Sequence, residues 1–296
     1  MPATVISGKL LSQEIRQSLL RPLSALADRG VVPGLTVVLL GDDPASVSYV
    51  TGKEKASKEL GMRGQTLRLP VSTSEEELLA LIARLNADPE VHGILVQLPL
   101  PPHIRSDLVI VAIDPAKDVD GFHPVSVGKM VLGARGFLPC TPHGVLKILE
   151  KTGVPLAGAE VVIVGRSNIV GKPLALMLMQ APYHCTVTVC HTRTRDLAAH
   201  TLRADIVIAA AGRPKMITAE MVKTGCCVID VGVNRVADPT KASGFALVGD
   251  TDYQAIAEKA SFVTPVPGGV GPMTITMLLS NTVQAACLKH DVKFPF

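Results

Sequence analysis

The residue types best suited to moving a proton in this 296-residue chain stand close together in Ser46-Val-Ser-Tyr49-Val-Thr-Gly-Lys53. Asp43 is a cap candidate, Pro44 takes the first helical position and Gly61 marks a stop, so the spacing predicts a helix through the segment. At about 100° per residue, Tyr49, Lys53, Ala56 and Leu60 share one face, with Glu54, Lys55, Lys58 and Glu59 mostly off it. Lys53 therefore stands where an amphipathic helix normally carries a Leu, one turn from a phenol. A lysine there either snorkels to water or is held poorly solvated with a lowered pKa, which suits it to acid/base work. Tyr-x-x-x-Lys is a short and common pattern, and alone it leaves both readings open.

The flanking sequence supplies elements to position that helix. Ser7 can cap an earlier helix carrying Leu11, Ile15 and Leu19, which Pro22 is expected to kink or split before Gly30. Residues 35–40 read as a buried parallel strand, 65–69 as a second, and 93–97, ending on Gln97, as a third. A helix opened by the capping box Ser74/Glu77 separates the last two, and a proline-bounded loop leads to a short helix at 108–113. This β-α-β-α-β-α run implies a parallel sheet, with ligands beyond the carboxyl ends of its strands. Asp114-Pro-Ala-Lys-Asp118-Val-Asp120-Gly-Phe-His-Pro124 has neither period and, with the stretch to Pro142, reads as a hinge between domains. Asp118 and Asp120 suit turn and capping chemistry; a carboxylate at such a junction can also accept paired N–H donors from a ligand.

A second α/β unit follows a helix near residues 143–151. Glu160-Val-Val-Ile-Val-Gly165 is a strand, and Gly165-Arg-Ser-Asn-Ile-Val-Gly171-Lys-Pro173 turns into a helix at 174–179, in the manner of a dinucleotide fingerprint. It departs from G-x-G-x-x-G in having Ser167 at the middle glycine and its last glycine one place later. The strand at 186–190 runs into His191-Thr-Arg-Thr-Arg195, where an NAD site usually carries Asp or Glu. Arg166, Thr192 and Arg193 could instead accommodate a 2′-phosphate, which favours NADP; a solvated basic turn is the plainer alternative. Strands at 205–210 and 227–231 each precede a glycine turn. Thr264-Pro-Val-Pro-Gly268-Gly-Val-Gly271-Pro-Met-Thr274 gives a stiff backbone that a flat ring could approach, or simply a tight turn before a last helix, 274–288, expected to pack back on the first domain.

Composition narrows the field. Apolar residues make up 47% and charged residues 19%, the balance of a well-buried α/β protein. A net charge of +3 and the absence of Trp argue against a nucleic-acid surface. The six cysteines form no C-x-x-C pair and read as buried small hydrophobes in a reducing compartment. The eight histidines show no ligand spacing, so no metal is expected. With no secretory signal and no apolar run near ~18 residues, no membrane is expected either, and the cytoplasm is the default address.

Five segments stand in the order found in one family: Ser46-x-x-Tyr49-x-x-x-Lys53, Gly93-Ile-Leu-Val-Gln97-Leu-Pro-Leu-Pro101, Lys117-Asp-Val-Asp120-Gly-Phe, Gly165-Arg-Ser-x-x-Val-Gly171-x-Pro173 and Pro265-Val-Pro-Gly-Gly-Val-Gly-Pro-Met-Thr274. The chain resembles bifunctional methylenetetrahydrofolate dehydrogenase/methenyltetrahydrofolate cyclohydrolase over nearly its full length, and Ser167 belongs to that family's pattern. The resemblance implies an α/β fold of two domains with a cleft between them. Residues 1–119 would be a folate-binding three-layer α/β/α domain with a parallel sheet, 120–274 a Rossmann-like NADP-binding domain, and 275–296 a helix packed back on the first. It implies NADP-dependent oxidation of 5,10-methylenetetrahydrofolate to the 5,10-methenyl cation, then hydrolysis to 10-formyltetrahydrofolate.

By the same likeness Lys53 is the acid/base, Gln97 hydrogen-bonds it, Tyr49 positions it beside the pterin, and Asp120 accepts two N–H bonds from the pterin edge. Leu98, Pro267, Gly268 and Gly271 would border the folate, and Gly165, Arg166, Ser167, Thr192, Arg193, Val233 and Thr274 would line the NADP site. A homodimer is implied as well. Three alternatives are weighed: an NAD-dependent monofunctional dehydrogenase, a non-catalytic NADP-binding regulatory module, and a short-chain dehydrogenase. The last carries Tyr-x-x-x-Lys after its nucleotide fingerprint, whereas here the pair precedes it.

Overall fold

The structure, a computed structural model, describes residues 2–241 and 244–295, with the backbone alone described at Ala45. In chain order the elements are β1 (Thr4–Val5), α1 (Gly8–Ala27), β2 (Gly34–Leu40), α2 (Pro44–Glu59), β3 (Arg63–Leu69), α3 (Glu75–Ala87), β4 (Gly93–Val96), α4 (Ser106–Ala112), α5 (Pro124–Val131) and α6 (Cys140–Thr152). There follow β5 (Glu160–Val164), α7 (Gly171–Met179), β6 (Thr186–Cys190), α8 (Leu197–Arg203), β7 (Ile206–Ala209), β8 (Cys227–Asp230), β9 (Asn234–Ala237), β10 (Phe245–Val248), α9 (Tyr253–Ala257), β11 (Phe262–Val263) and α10 (Val270–Lys289). They form two compact units, Glu14–Cys140 with Ile275–Phe296, and Met1–Gln13 with Thr141–Thr274. No described helix is long and apolar enough to cross a membrane.

The first unit is built on the parallel sheet β3-β2-β4. β2 is central, its seven residues all buried, because strands flank it and helices cover both faces. Strand alternation sorts its side chains. Leu35, Val37 and Leu39 join Val50 and Met62 on one side with Met277, Leu278 and Val283 of α10. Val38 and Leu40 join Ile94 and Val96 against Leu78, Ile82 and Leu85 of α3 and Val109 of α4 on the other. Three layers, α/β/α, result. Since the first strand in the chain lies in the middle, the connections leave β2 and β4 toward opposite faces and open a crevice beyond their carboxyl ends.

The second unit holds a six-stranded parallel sheet in the order β1-β11-β8-β7-β5-β6, and a separate antiparallel hairpin, β9-β10. β5, β7 and β8 are buried almost throughout. The order in which strands are added reverses between β5 and β7, the switch point of this Rossmann-like sheet.

Several elements differ from the expectation. α1 runs unbroken through Pro22, because burial of Leu19 and Leu26 holds the helix despite the lost N–H. The stretch expected to be a hinge contains α5, opened by Pro124 and by His123, whose ring nitrogen accepts from the Val125 N–H. Val119, Phe137 and Cys140 sit in the core of the first unit. Its boundary consequently falls at Cys140 rather than at 119/120. Residues before Glu14 belong to the other unit, because β1 extends the sheet beside β11. α10 begins at Val270, so Gly271 to Thr274 form its first turn instead of a loop.

Candidate functional site

In the first unit, Gly41-Asp-Asp43 carries the chain from the end of β2 into α2. The Asp43 carboxylate accepts the Ser46 N–H at 2.9 Å and Pro44 occupies the first turn, which fixes the register of the helix. Ser46, Val50, Lys53, Ala56 and Ser57 form its buried stripe. The other charged groups turn outward, with Lys58 paired to Glu54 at 2.6 Å and Lys55 to Glu59 at 3.9 Å. Lys53 is thereby drawn inside, with 6% of its surface exposed. Tyr49, one turn earlier, is 38% exposed, more open than a shared face suggests, and burial of its ring side pushes the phenol up so that it stays protonated.

The Lys53 ammonium donates to Gln97 Oε1 at 2.9 Å. Gln97 follows β4, and its backbone N–H continues the ladder to Val38 O at 2.9 Å, so the amide is held at the carboxyl end of the sheet. Its own Nε2 donates to Leu98 O at 2.7 Å, an arrangement that assigns the amide oxygen to the lysine. Burial draws the Lys53 pKa below the ordinary lysine value, opposed by the negative charge of Asp120 and then by Cys140. Asp120 in turn is pushed up by burial, with Lys53 and the Cys140 thiol acting in the other direction. Burial and the Asp120 charge raise the Cys140 thiol well above its usual range, so it remains a donor, reaching Val119 O at 3.3 Å. The neighbourhood is thus a desolvated amine, an amide and a carboxylate, an arrangement able to hold and pass one proton.

The two aspartates of this loop divide the work. Asp118 closes its own turn, accepting the His123 N–H at 2.9 Å and the Phe122 N–H at 3.3 Å. Among the described residues no backbone N–H reaches the Asp120 carboxylate. Two residues absent from the sequence reading complete the group. Cys140 lies beside Asp120, and Asn281 of α10 donates to Val119 O at 2.8 Å and to Leu138 O at 2.9 Å, fixing the backbone just before Asp120 and two residues before Cys140. Asn281 had a legible signal: a buried amide amid the apolar residues of the last helix needs acceptors somewhere.

In the second unit, Gly165 turns sharply after β5 with φ +134°, and a Cβ there would lie 2.1 Å from Ala210 O, at the β5/β7 switch point. At Gly171 a Cβ would meet Gly165 O at 2.0 Å. The Ser167 hydroxyl accepts the Val170 N–H at 3.1 Å, closing the loop, and no side chain caps α7, leaving its N-terminus open to a phosphate. Arg166 follows β5, while Thr192 and Arg193 follow the adjacent β6; all three are exposed, and neither guanidinium is paired with a carboxylate among the described residues. Val233, after β8, is exposed. Thr274 is partly buried, its hydroxyl 2.9 Å from that of Thr141. Glycine where a ligand must approach the backbone, an uncapped helix and unpaired arginines fit a phosphorylated dinucleotide. Pro267, Gly268 and Gly271 belong to this unit too, on the segment that follows β11.

A Rossmann-like unit with such a cradle, in one chain with a desolvated lysine held by an amide and under the charge of a carboxylate, defines a nucleotide-dependent enzyme with an acid/base site. Comparison with known proteins agrees. Residues 6–120 match the tetrahydrofolate dehydrogenase/cyclohydrolase catalytic domain, and 139–290 the NAD(P)-binding domain of the same family. The bifunctional protein FolD of Syntrophus aciditrophicus is 57% identical over 290 residues, covering 97% of this chain and 99% of that one. The crystal structure of the bifunctional FolD enzyme of Campylobacter jejuni superposes with a TM-score of 0.92 at 48% identity, covering 97% and 99% of the two chains. That of the Trypanosoma brucei enzyme, complexed with NADP cofactor and inhibitor, gives 0.94 at 39% identity over 98% and 99%. The chain belongs to the tetrahydrofolate dehydrogenase/cyclohydrolase family. It is bifunctional: it oxidises 5,10-methylenetetrahydrofolate with NADP and hydrolyses the 5,10-methenyl product to 10-formyltetrahydrofolate.

Proposed function

We propose that Lys53 is the acid/base of the hydrolytic step, and that the unit containing it holds the folate. The observation that carries this is the buried Lys53 ammonium on Gln97 Oε1, with Asp120 as its counter-charge. In its neutral form, which burial favours, Lys53 removes a proton as water attacks the methenyl carbon of the cationic amidine. The ammonium then returns a proton to the departing folate nitrogen as its bond to that carbon breaks, and the tetrahedral hydroxyl collapses to the formyl group with one proton released to solvent. Gln97 keeps the amine aimed, and Tyr49, a neutral phenol, packs beside the pterin and holds it over the lysine. Asp120, which no backbone N–H reaches among the described residues, accepts two N–H bonds from the amino-pyrimidinone edge. Leu98, which follows Gln97, borders the folate.

Gly165, Arg166, Ser167, Thr192, Arg193, Val233 and Thr274 would hold NADP, with Arg166 and Arg193 on the 2′-phosphate. The chemistry NADP supplies when bound is acceptance of a hydride; the protein contributes orientation, because the folate nitrogens already stabilise the cation. A homodimer in the cytoplasm is the assembly we infer, supported by the place of β6 at the edge of the second sheet, where its outer side is not paired with another described strand. The test is absorbance of the methenyl chromophore after mixing methylenetetrahydrofolate with NADP+ or NAD+. A rise and decay with NADP+, and a much slower rise with NAD+, supports the reading; equal rates with both cofactors would remove the role given to Arg166 and Arg193.

A further inference from the structure

Two buried carboxylates in the second unit have no part in the chemistry above. Asp250 is 0% exposed, yet among the described residues no lysine or arginine is paired with it. Its partners are N–H groups: those of Ala211 at 2.6 Å, Gly212 at 2.8 Å and Arg213 at 2.9 Å, and Asn234 Nδ2 at 2.7 Å. Three consecutive backbone donors on one carboxylate mean that the turn after β7 takes its shape from this side chain. The segment after β8 is tied to the same group through Asn234, next to Val233.

Asp250 is itself held by Asp230 at the end of β8. Asp230 accepts the Asp250 N–H at 2.9 Å, the Thr251 N–H at 2.9 Å, the Thr251 hydroxyl at 2.6 Å and the Gly232 N–H at 3.0 Å. Both carboxylates are packed against glycine. A Cβ at Gly232 would lie 2.1 Å from Asp250 Oδ1, and one at Gly249 would lie 2.0 Å from Asp230 Oδ2. The chain thus gives up side chains at two positions to seat two buried carboxylates, with no lysine or arginine paired to either among the described residues, an expensive arrangement unless the geometry they impose is needed.

The turn they shape borders the β5/β7 switch point. Ala210 O, immediately before it, is the atom a Cβ on Gly165 would strike. We propose that Asp250, held by Asp230, is a positioning residue for the dinucleotide: it fixes residues 211–213 and the segment around Val233 as walls of the nucleotide crevice, so that the dinucleotide meets a pre-formed site. This rests on the proposed location of NADP in that crevice.

The test is NADPH binding to the full-length Asp250→Asn variant, followed by nicotinamide fluorescence, beside hydrolysis of methenyltetrahydrofolate, which consumes no nucleotide. Asn keeps the shape but replaces one acceptor with a donor facing donors. The dissociation constant for NADPH should rise at least tenfold, hydrolysis should stay within about twofold, and the dehydrogenase should lose affinity for NADP+ while keeping most of its saturated rate. Hydrogen exchange at the amides of residues 211–213 should speed up. Unchanged NADPH affinity overturns the proposal, as does an equal loss of both activities in a folded variant. Should Asp250→Asn fail to fold, Asn234→Ala, which leaves the three backbone bonds intact, carries the test: a two- to fivefold weaker NADPH binding supports the proposal and no change overturns it. Arg193→Ala separates this from the location of the site. If it weakens NADPH binding and Asp250→Asn does not, the positioning role alone fails; if it leaves binding unchanged, the location fails.

Discussion

Asp120 in the first unit, half-buried, and Asp230 with Asp250 in the second, fully buried, are all carboxylates withdrawn from solvent, and the protein treats them in opposite ways. Asp230 and Asp250 are saturated with N–H and O–H donors from their own chain. Asp120 is left with a lysine charge and a protonated thiol nearby, and no backbone donor among the described residues. A saturated buried anion is scaffold; it has nothing left to offer a ligand. An undersupplied one stores a demand for donors that a substrate edge can meet, and its charge also sets the protonation of the lysine it faces.

That contrast can be broken most easily at Asp230. Asp230→Ala orphans four buried donors, at a cost on the order of 4 kcal/mol, and should lower the thermal midpoint by about 10 °C. Asp120→Ala should move the midpoint by no more than about 3 °C while weakening folate binding at least ~100-fold, and should leave NADPH affinity unchanged. Calorimetry and binding titrations on the two variants side by side decide it: a large thermal loss at Asp120, or a small one at Asp230, abolishes the distinction. A finer test uses Asp120→Asn at saturating methenyl substrate. Asp120 is the larger of the two influences that raise the Lys53 pKa against burial, so its removal lets burial act with less opposition and the amine deprotonates at lower pH. The acid limb of the hydrolytic kcat should therefore move to lower pH; an unmoved acid limb would show that Asp120 does not set the protonation of Lys53, and an alkaline limb moving to lower pH in its place would show that the ammonium is the form required. The smallest expected effect is at Cys140. Cys140→Ser keeps a donor beside Asp120 and should change the folate KM by less than about threefold, with Cys140→Ala somewhat larger.

The sequence makes the first of these centres legible and leaves the second dark. Lys53 betrays itself by occupying an apolar position on a helix whose other charges lie off that face. Gln97 and Asp120 sit in contiguous motifs, and the three-layer sheet follows from apolar runs alternating with capped helices, the Ser74/Glu77 box being formed as read. Asp230 and Asp250 give no such sign, since their partners are mostly backbone N–H groups, up to 39 residues away in the chain, which side-chain spacing does not encode. Gly232 and Gly249 carry the trace, but a glycine emptied for a neighbouring carboxylate looks like a glycine in any turn. The hinge expected up to Pro142 fails for a related reason. Its helix α5 is two turns long and is started by a histidine ring nitrogen, a cap that standard cap residues do not announce.

If the amine of Lys53 carries the proton in hydrolysis, Lys53→Met must stop that step, because it keeps the buried stem and removes only the ionisable head. With purified, folded variant and methenyltetrahydrofolate as the sole substrate, loss of the methenyl absorbance should fall by a factor of at least ~100, toward the uncatalysed rate, while NADPH binding is unchanged. Decay of that absorbance at the parent rate in the folded variant would contradict the account.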